Sequence, residues 1–156
     1  MIQLGDVDRM YLRNYLRDGQ RHLEAAVLLF ENGFYDYCVK EAYESMLWHV
    51  DSLLLTVGIK TLSATTAISG FGREFVRKDI YPMEFYEHLL LANASYRIAD
   101  SEFGATILKD EAGCVLGYAR EFRNIVAYLK DLGVEQPKVD DEHASGNSNS
   151  EIHDCD

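Results

Sequence analysis

The fold is decided by the stretch from Tyr35 to Val57, which reads YDYCVKEAYESMLWHVDSLLLTV. Its apolar residues recur at steps of three and four, the spacing that places them on one face of an α-helix. These residues are Val39, Ala42, Tyr43, Met46, Leu47, Val50, Leu53, Leu54 and Val57. The stretch therefore predicts a helix of about six turns that ends at Gly58, because glycine readily adopts the left-handed conformation of a helix C-terminus.

The same periodicity continues outward in both directions. Before this helix, the apolar face from Leu12 to Phe30 predicts a helix ending at Asn32 and Gly33. Its apolar face runs through Gly19 without a shift, so we expect one continuous helix there. After Gly58, we expect a shorter helix over 66–78, a fourth from Pro82 to about Asp100, and a fifth over about 109–132.

The predicted fold is therefore all-α, an antiparallel up-and-down bundle of about five helices. The chain has 156 residues, enough for one domain with its own core. Residues 135–156 hold seven acidic residues, one basic residue and almost no apolar ones. Such a segment cannot bury enough apolar surface to offset the entropy of ordering. We therefore expect a folded domain over 1–134 and a disordered acidic tail over 135–156.

Composition restricts the cellular setting and the partners. The net charge is −11, with 15 Lys and Arg against 26 Asp and Glu, which argues against non-specific binding to nucleic-acid backbones. The apolar runs are too short to cross a bilayer, and the start of the chain lacks the pattern of a signal peptide. The three cysteines show no paired spacing typical of a disulfide framework. We therefore expect a cytoplasmic protein that does not enter the membrane.

The sequence indicates neither a metal site nor a cofactor site. The motif Gly70-Phe71-Gly72 resembles the start of a dinucleotide fingerprint, but the third glycine and the preceding strand are missing. None of the five histidines follows a glutamate by three residues, as a ferritin-like di-iron site requires. Cysteine and histidine do not occur in close pairs within 1–134, so no zinc pattern is present.

Three sets of polar residues remain as candidates. Arg9, Arg13, Arg17 and Arg21 recur every four residues and form a basic ribbon, which either binds an anion or is a solvated face partly neutralised by nearby acids. His49 and His88 lie beside apolar residues, which favours packing over catalysis. Arg97 shares a helix side with Leu90, Asn93 and Asp100. It either forms a structural pair with Asp100 or is presented at a cleft where it neutralises a phosphate.

Five segments stand in a distinctive order and spacing: NGFYDYC at 32–38, AYESM at 42–46, LLL at 53–55 followed by Gly58, FGREFV at 71–76 and RIAD at 97–100. Together they resemble the HEPN domain family (higher eukaryotes and prokaryotes nucleotide-binding), especially its small stand-alone prokaryotic branch. The resemblance covers about residues 12–132. It implies a five-helix bundle that commonly dimerises and is often encoded beside a minimal nucleotidyltransferase in toxin–antitoxin or defence operons.

In ribonucleases of this family, an arginine, a polar residue and, after a spacer of four to six residues, a histidine stand at the end of the fourth long helix. Arg97 matches the arginine, but positions 102–104 hold Glu, Phe and Gly. The match of Arg17 with His22 falls in the first helix and is treated as chance. The related branch usually has a tyrosine where this chain has Ser101, and many relatives have a histidine at the position of Ala64.

The resemblance implies a homodimer that binds a nucleotide, RNA or a partner nucleotidyltransferase at a polar cleft, without an intact ribonuclease motif. The expected binding residues are Arg97, Asp100, Asn93 and Ser101, and no catalytic residue is identified unless Arg97 acts as one. Two alternatives remain open. One is a metal-independent ribonuclease toxin, and the other is a purely structural protein-interaction module.

Overall fold

The computed structural model describes residues 4–101 and 106–132, and it shows the predicted all-α architecture. Five α-helices follow one another along the chain, and the described residues contain no strand. They are α1 (Asp6–Glu31), α2 (Tyr35–Leu55), α3 (Ala64–Phe71), α4 (Met83–Ala99) and α5 (Lys109–Ile125). A π-helical turn (Gly72–Val76) continues α3, and a 3₁₀ segment (Ala127–Leu132) follows α5.

Helix α2 is the centre of the bundle, since it packs against α1, α3, α4 and α5. The apolar face read from the sequence is the face that it buries. Val39, Ala42, Met46, Val50, Leu53 and Leu54 are all completely inaccessible to solvent. Glycines in the left-handed region follow the C-terminal ends of the first two helices, Gly33 at φ 80° after α1 and Gly58 at φ 79° after α2. The predicted end of α1 is confirmed, and α2 ends at Leu55, three residues before Gly58.

Helices α1 and α2 pack closely at Gly19. Helix α1 runs through this residue without a break, as expected. A Cβ atom added to Gly19 would lie 2.7 Å from Nε2 of His49, and the hydroxyl of Ser45 donates a hydrogen bond of 2.7 Å to the Gly19 carbonyl oxygen. Glycine at this position therefore lets the imidazole of α2 pack directly against the backbone of α1.

The third helix differs from the prediction. The periodicity predicted one helix over 66–78, whereas α3 begins at Ala64, capped by Ser63, and changes into the π-helical turn at Gly72. The amide of Arg77 donates to the carbonyl of Gly72 at 2.9 Å, five residues back. The wide turn keeps both Phe75 and Val76 buried. Simple helical spacing does not distinguish this turn from an α-helical one, because both keep these residues on the same side.

The C-terminal end of the fifth helix also differs from the prediction. The fifth helix changes from α to 3₁₀ geometry after Ile125, and Val126 and Leu129 remain fully buried. The predicted acidic tail at 135–156 lies outside the described residues. None of the helices in the described ranges combines the length and apolar character needed to cross a membrane.

Candidate functional site

Helix α4 carries apolar residues on two opposite faces. The buried face packs Leu89 and Ala92 into the core. The opposite face is solvent-exposed in the monomer, yet four neighbouring residues in its C-terminal half are also apolar: Leu90, Leu91, Ala94 and Ile98. We call these four residues the α4 stripe. Leu91 is 53% exposed. Contiguous exposed apolar surface of this kind is typical of protein–protein contact sites.

Arg97 lies at the edge of the α4 stripe, in the last turn of the helix. It follows Leu90 and Ala94 at the spacing that places residues on one helix face. Its side chain is exposed. Among the described residues, no carboxylate oxygen lies within 4.0 Å of its guanidinium group. Arg97 is therefore a solvent-accessible cation beside an apolar surface, and it is not the semi-buried partner of Asp100 that one interpretation of the sequence expected.

Asp100 pairs with a different helix. Nζ of Lys40, on α2, lies 2.9 Å from Oδ1 of Asp100, and this hydrogen bond raises the pKa of Lys40. The backbone amide of Asp100 donates to the carbonyl of Tyr96 at 2.9 Å, so the residue also ends α4. The carboxylate thus joins the C-terminal end of α4 to α2 and does not act as the counter-ion of Arg97.

Asn93 forms a second polar link between the same two helices. The hydroxyl of Tyr43 donates a hydrogen bond of 3.0 Å to Oδ1 of Asn93, and the ring of Tyr43 packs on Tyr96 with 4.8 Å between centroids. Burial raises the pKa of Tyr43 to about 12, although the charge of Arg97 acts in the opposite direction. Tyr43 is therefore a protonated hydrogen-bond donor at neutral pH, close enough to Arg97 to experience its field.

Ser101 is exposed directly after this turn, and its amide donates to the carbonyl of Ile98 at 3.2 Å. The structure therefore places Asn93, Arg97, Asp100 and Ser101 along one side of the C-terminal half of α4. Positions 102–104, where a family histidine would stand, lie outside the described residues.

The described histidines are all packed or paired away from Arg97. His49 is 1% exposed; burial first and the charge of Arg123 second lower its pKa to about 4. His88 stacks on Tyr118 of α5 at 4.1 Å and lies 2.9 Å from a carboxylate oxygen of Glu121. Because His88 faces α5, it lies on the side of α4 away from the exposed arginine.

The remaining histidine of the bundle, His22, pairs with Glu41 of α2 at 2.5 Å. In the basic ribbon, Arg17 contacts Asp18 at 3.3 Å, and Arg9, Arg13 and Arg21 are exposed. Within 4–101 and 106–132, no group of three or more His, Cys, Asp or Glu is arranged to hold a metal ion.

Two residues of this region, Lys40 and Tyr43, were not predicted from the sequence as members of the site. They lie three residues apart on α2 and so share a helix face. The spacing of the two residues can be seen in the sequence, but it does not reveal that this face of α2 contacts the end of α4. Contacts between helices depend on the angle and register at which they pack, and the periodicity of each helix does not contain that information.

Comparison with known proteins gives two matches. The chain is 29% identical over 113 residues to a protein of Methanocaldococcus jannaschii named "Putative toxin MJ0142", a match that covers 72% of this chain and 77% of the relative. The family model described as HEPN domain matches residues 12–132, which include α2 to α5 and all of α1 after its first six residues. The resemblance seen in the sequence is confirmed, and the chain belongs to the HEPN domain family.

Proposed function

We propose that this protein is a toxin-type HEPN component of a toxin–antitoxin or defence system, and that it binds RNA or a nucleotide around Arg97. The observation that carries the proposal is the exposed guanidinium of Arg97, which has no described counter-ion and lies between the α4 stripe and the polar residues Asn93 and Asp100. Arginine is well suited to phosphate because its planar fork donates two parallel hydrogen bonds. The toxin name of the archaeal relative supports the class of system.

The functional unit in this proposal is a homodimer joined through the α4 stripe. HEPN domains commonly dimerise, and the stripe exposes apolar surface that a second copy would cover. The twofold contact places each Arg97 at the rim of the interface, because the residue borders the stripe. Two copies then present two guanidinium groups and their neighbouring Asp100 and Ser101 to one ligand.

The described residues support binding of RNA or a nucleotide better than they support cleavage of RNA. Metal-independent cleavage of RNA needs a general base and a general acid close to the stabilising charge. Arg97 supplies positive charge, but Tyr43 stays protonated and the described histidines face other helices. In this proposal a cleft forms where the two Arg97 side chains meet at the rim of the dimer, and it holds RNA or a nucleotide in the cytoplasm without a metal or cofactor.

The test follows RNA length and RNA binding in the same samples. Purified full-length protein is incubated with mixed cellular RNA without metal, beside Arg97→Ala and the control Arg120→Ala, an exposed arginine on α5. We expect intact RNA in every sample and retarded RNA with the parent chain and the control only. Cleavage that disappears in Arg97→Ala establishes the ribonuclease alternative. Intact RNA that no sample retards contradicts the proposal.

A second candidate function is protein docking, favoured by the apolar character of the α4 stripe. In this version the stripe binds a minimal nucleotidyltransferase instead of a second copy, and the acidic segment 135–156 competes for basic sites.

Deleting residues 135–156 tests whether the acidic segment competes with anionic ligands for the basic ribbon. Stronger and more salt-dependent binding of anions by the shortened chain would indicate that the segment shields the basic ribbon. Unchanged binding would contradict that shielding.

A further inference from the structure

An open groove of about 350 Å³ lies between the π-helical turn and the start of α4, at the opposite end of α4 from Arg97. Its lining includes Ser69, Arg73 and Arg77 on one side and Met83 and Tyr86 on the other. None of the residues that line it is acidic. The volume falls within the range of roughly 300–1,000 Å³ that small-molecule sites occupy. We call it the arginine groove.

The charge inside the arginine groove is positive. Nε of Arg73 donates to a carboxylate oxygen of Glu74 at 3.0 Å, and the same carboxylate accepts from Lys78 at 2.6 Å. Glu74 is not part of the lining, and Lys78 offsets its charge. Among the described residues, no carboxylate lies within 4.0 Å of the guanidinium of Arg77. Arg77 is therefore a cation that faces the groove with no described ion-pair partner.

The backbone on one side of the groove is irregular. The π-helical turn is closed by the bond from the Arg77 amide to the Gly72 carbonyl, and single π turns inside helices occur frequently at functional sites. Gly72 lines the groove, and an added Cβ there would lie 3.0 Å from Cε2 of Tyr86. Glycine thus lets the Tyr86 ring lie against the turn and form an aromatic wall opposite the two arginines.

We propose that the arginine groove binds the phosphate group of a nucleotide, either free or at the 5′ end of an RNA strand. A guanidinium group matches a phosphate geometrically and in charge. An aromatic wall beside it provides a surface on which a base can stack. The site is distinct from the cleft at Arg97, because eleven residues of helix separate Tyr86 from Arg97, about 16 Å along the axis. The proposal does not depend on RNA binding at Arg97.

The test is a calorimetric titration of the full-length protein at fixed low ionic strength. The ligands are adenosine 5′-monophosphate, adenosine, inorganic phosphate, and an RNA tetramer with either a 5′-phosphate or a 5′-hydroxyl. The variants are Arg77→Gln, Arg97→Gln and the control Arg120→Gln, each checked for unchanged helicity by circular dichroism. Arg77 was chosen over Arg73 because its change leaves the contact between Arg73 and Glu74 in place.

We expect the monophosphate or the 5′-phosphorylated tetramer to bind the parent chain, and the tighter of the two identifies the source of the phosphate. Arg77→Gln should weaken that binding at least about tenfold, while Arg120→Gln leaves it within about twofold. In Arg97→Gln, which removes binding at the other cleft, adenosine and the 5′-hydroxyl tetramer should bind at least about tenfold more weakly than their phosphorylated counterparts. Absence of binding by both phosphorylated ligands, equal binding of adenosine, or an equal loss in Arg77→Gln and Arg120→Gln would overturn the proposal. Weaker binding of the phosphorylated ligand by Arg97→Gln, with unchanged binding by Arg77→Gln, would assign the phosphate to the cleft at Arg97.

Discussion

At the scale of single residues, the contact between Gly19 and His49 shows how one missing atom shapes the bundle. The imidazole occupies the space that a Cβ of residue 19 would fill, and it is almost completely buried. Nδ1 of His49 has no hydrogen-bond partner in the described structure. The ring is therefore a neutral packing element between α1 and α2.

Replacing Gly19 by alanine should destabilise the protein although alanine favours helix. The new Cβ would lie 2.7 Å from Nε2 of His49 in a buried interface, and overpacking of this kind costs about 1–3 kcal/mol. Gly117→Ala is the matched control, because nothing lies within 4 Å of its added Cβ and it sits inside α5. We expect the control to gain up to about 1 kcal/mol. Urea unfolding measures both, and equal effects would contradict the close approach at Gly19.

Acidification should destabilise the fold through His49. Its pKa is lowered from 6.5 to about 4 in the folded protein, so between these values the unfolded chain binds a proton that the native protein does not. Stability therefore falls as the pH decreases from above 6.5 toward 4. From pH 7 to pH 5 this contribution is on the order of 2 kcal/mol.

The measurement compares the free energy of unfolding at pH 7 and pH 5 for the parent chain and for His49→Leu. Other groups titrate in both proteins, so the difference between the two changes isolates His49. A parent chain that loses no more stability than His49→Leu would show that the imidazole is protonated in the native state.

At the scale of elements, α4 is the helix whose pattern of apolar residues is only partly explained by packing within one copy of the chain. Most helices of a bundle have one apolar face and one polar face, and α1 follows that rule with Leu12, Leu16, Leu23 and Ala26 buried. The α4 stripe adds a second apolar face that the described core does not use. This second apolar face lies beside Arg97, and it is the surface that the proposed homodimer would cover.

Placing a charge in the α4 stripe should disrupt the proposed homodimer. Leu91→Glu introduces a carboxylate that would lose its hydration when a second copy covers the stripe. Leu28→Glu is the control, since Leu28 is 61% exposed on α1, outside the stripe. By sedimentation velocity we expect a dimer for the parent chain and the control, and a monomer for Leu91→Glu at the same concentration. A parent chain that is monomeric throughout, or a dimer that persists in Leu91→Glu, would remove the stripe from the interface.

At the scale of the whole molecule, the sequence predicted the architecture more completely than the site. Apolar periodicity and the glycines at 33 and 58 were sufficient to predict α1 and α2, because burial of one face and the left-handed turns are local requirements. The link from Lys40 to Asp100 and the arginine groove were not predictable in the same way. Each depends on how two elements separated in sequence meet, and the groove also depends on a π turn that the spacing of apolar residues does not reveal.

The most direct test of the central proposal measures RNA affinity at Arg97. Fluorescence anisotropy of a labelled single-stranded RNA follows binding by the parent chain, Arg97→Ala and Arg120→Ala at two salt concentrations. We predict at least about tenfold weaker binding by Arg97→Ala, a smaller salt dependence for that variant, and an unchanged control, all with the same helical signal. Equal affinity of Arg97→Ala and the parent chain would contradict the assignment of this residue to the binding cleft.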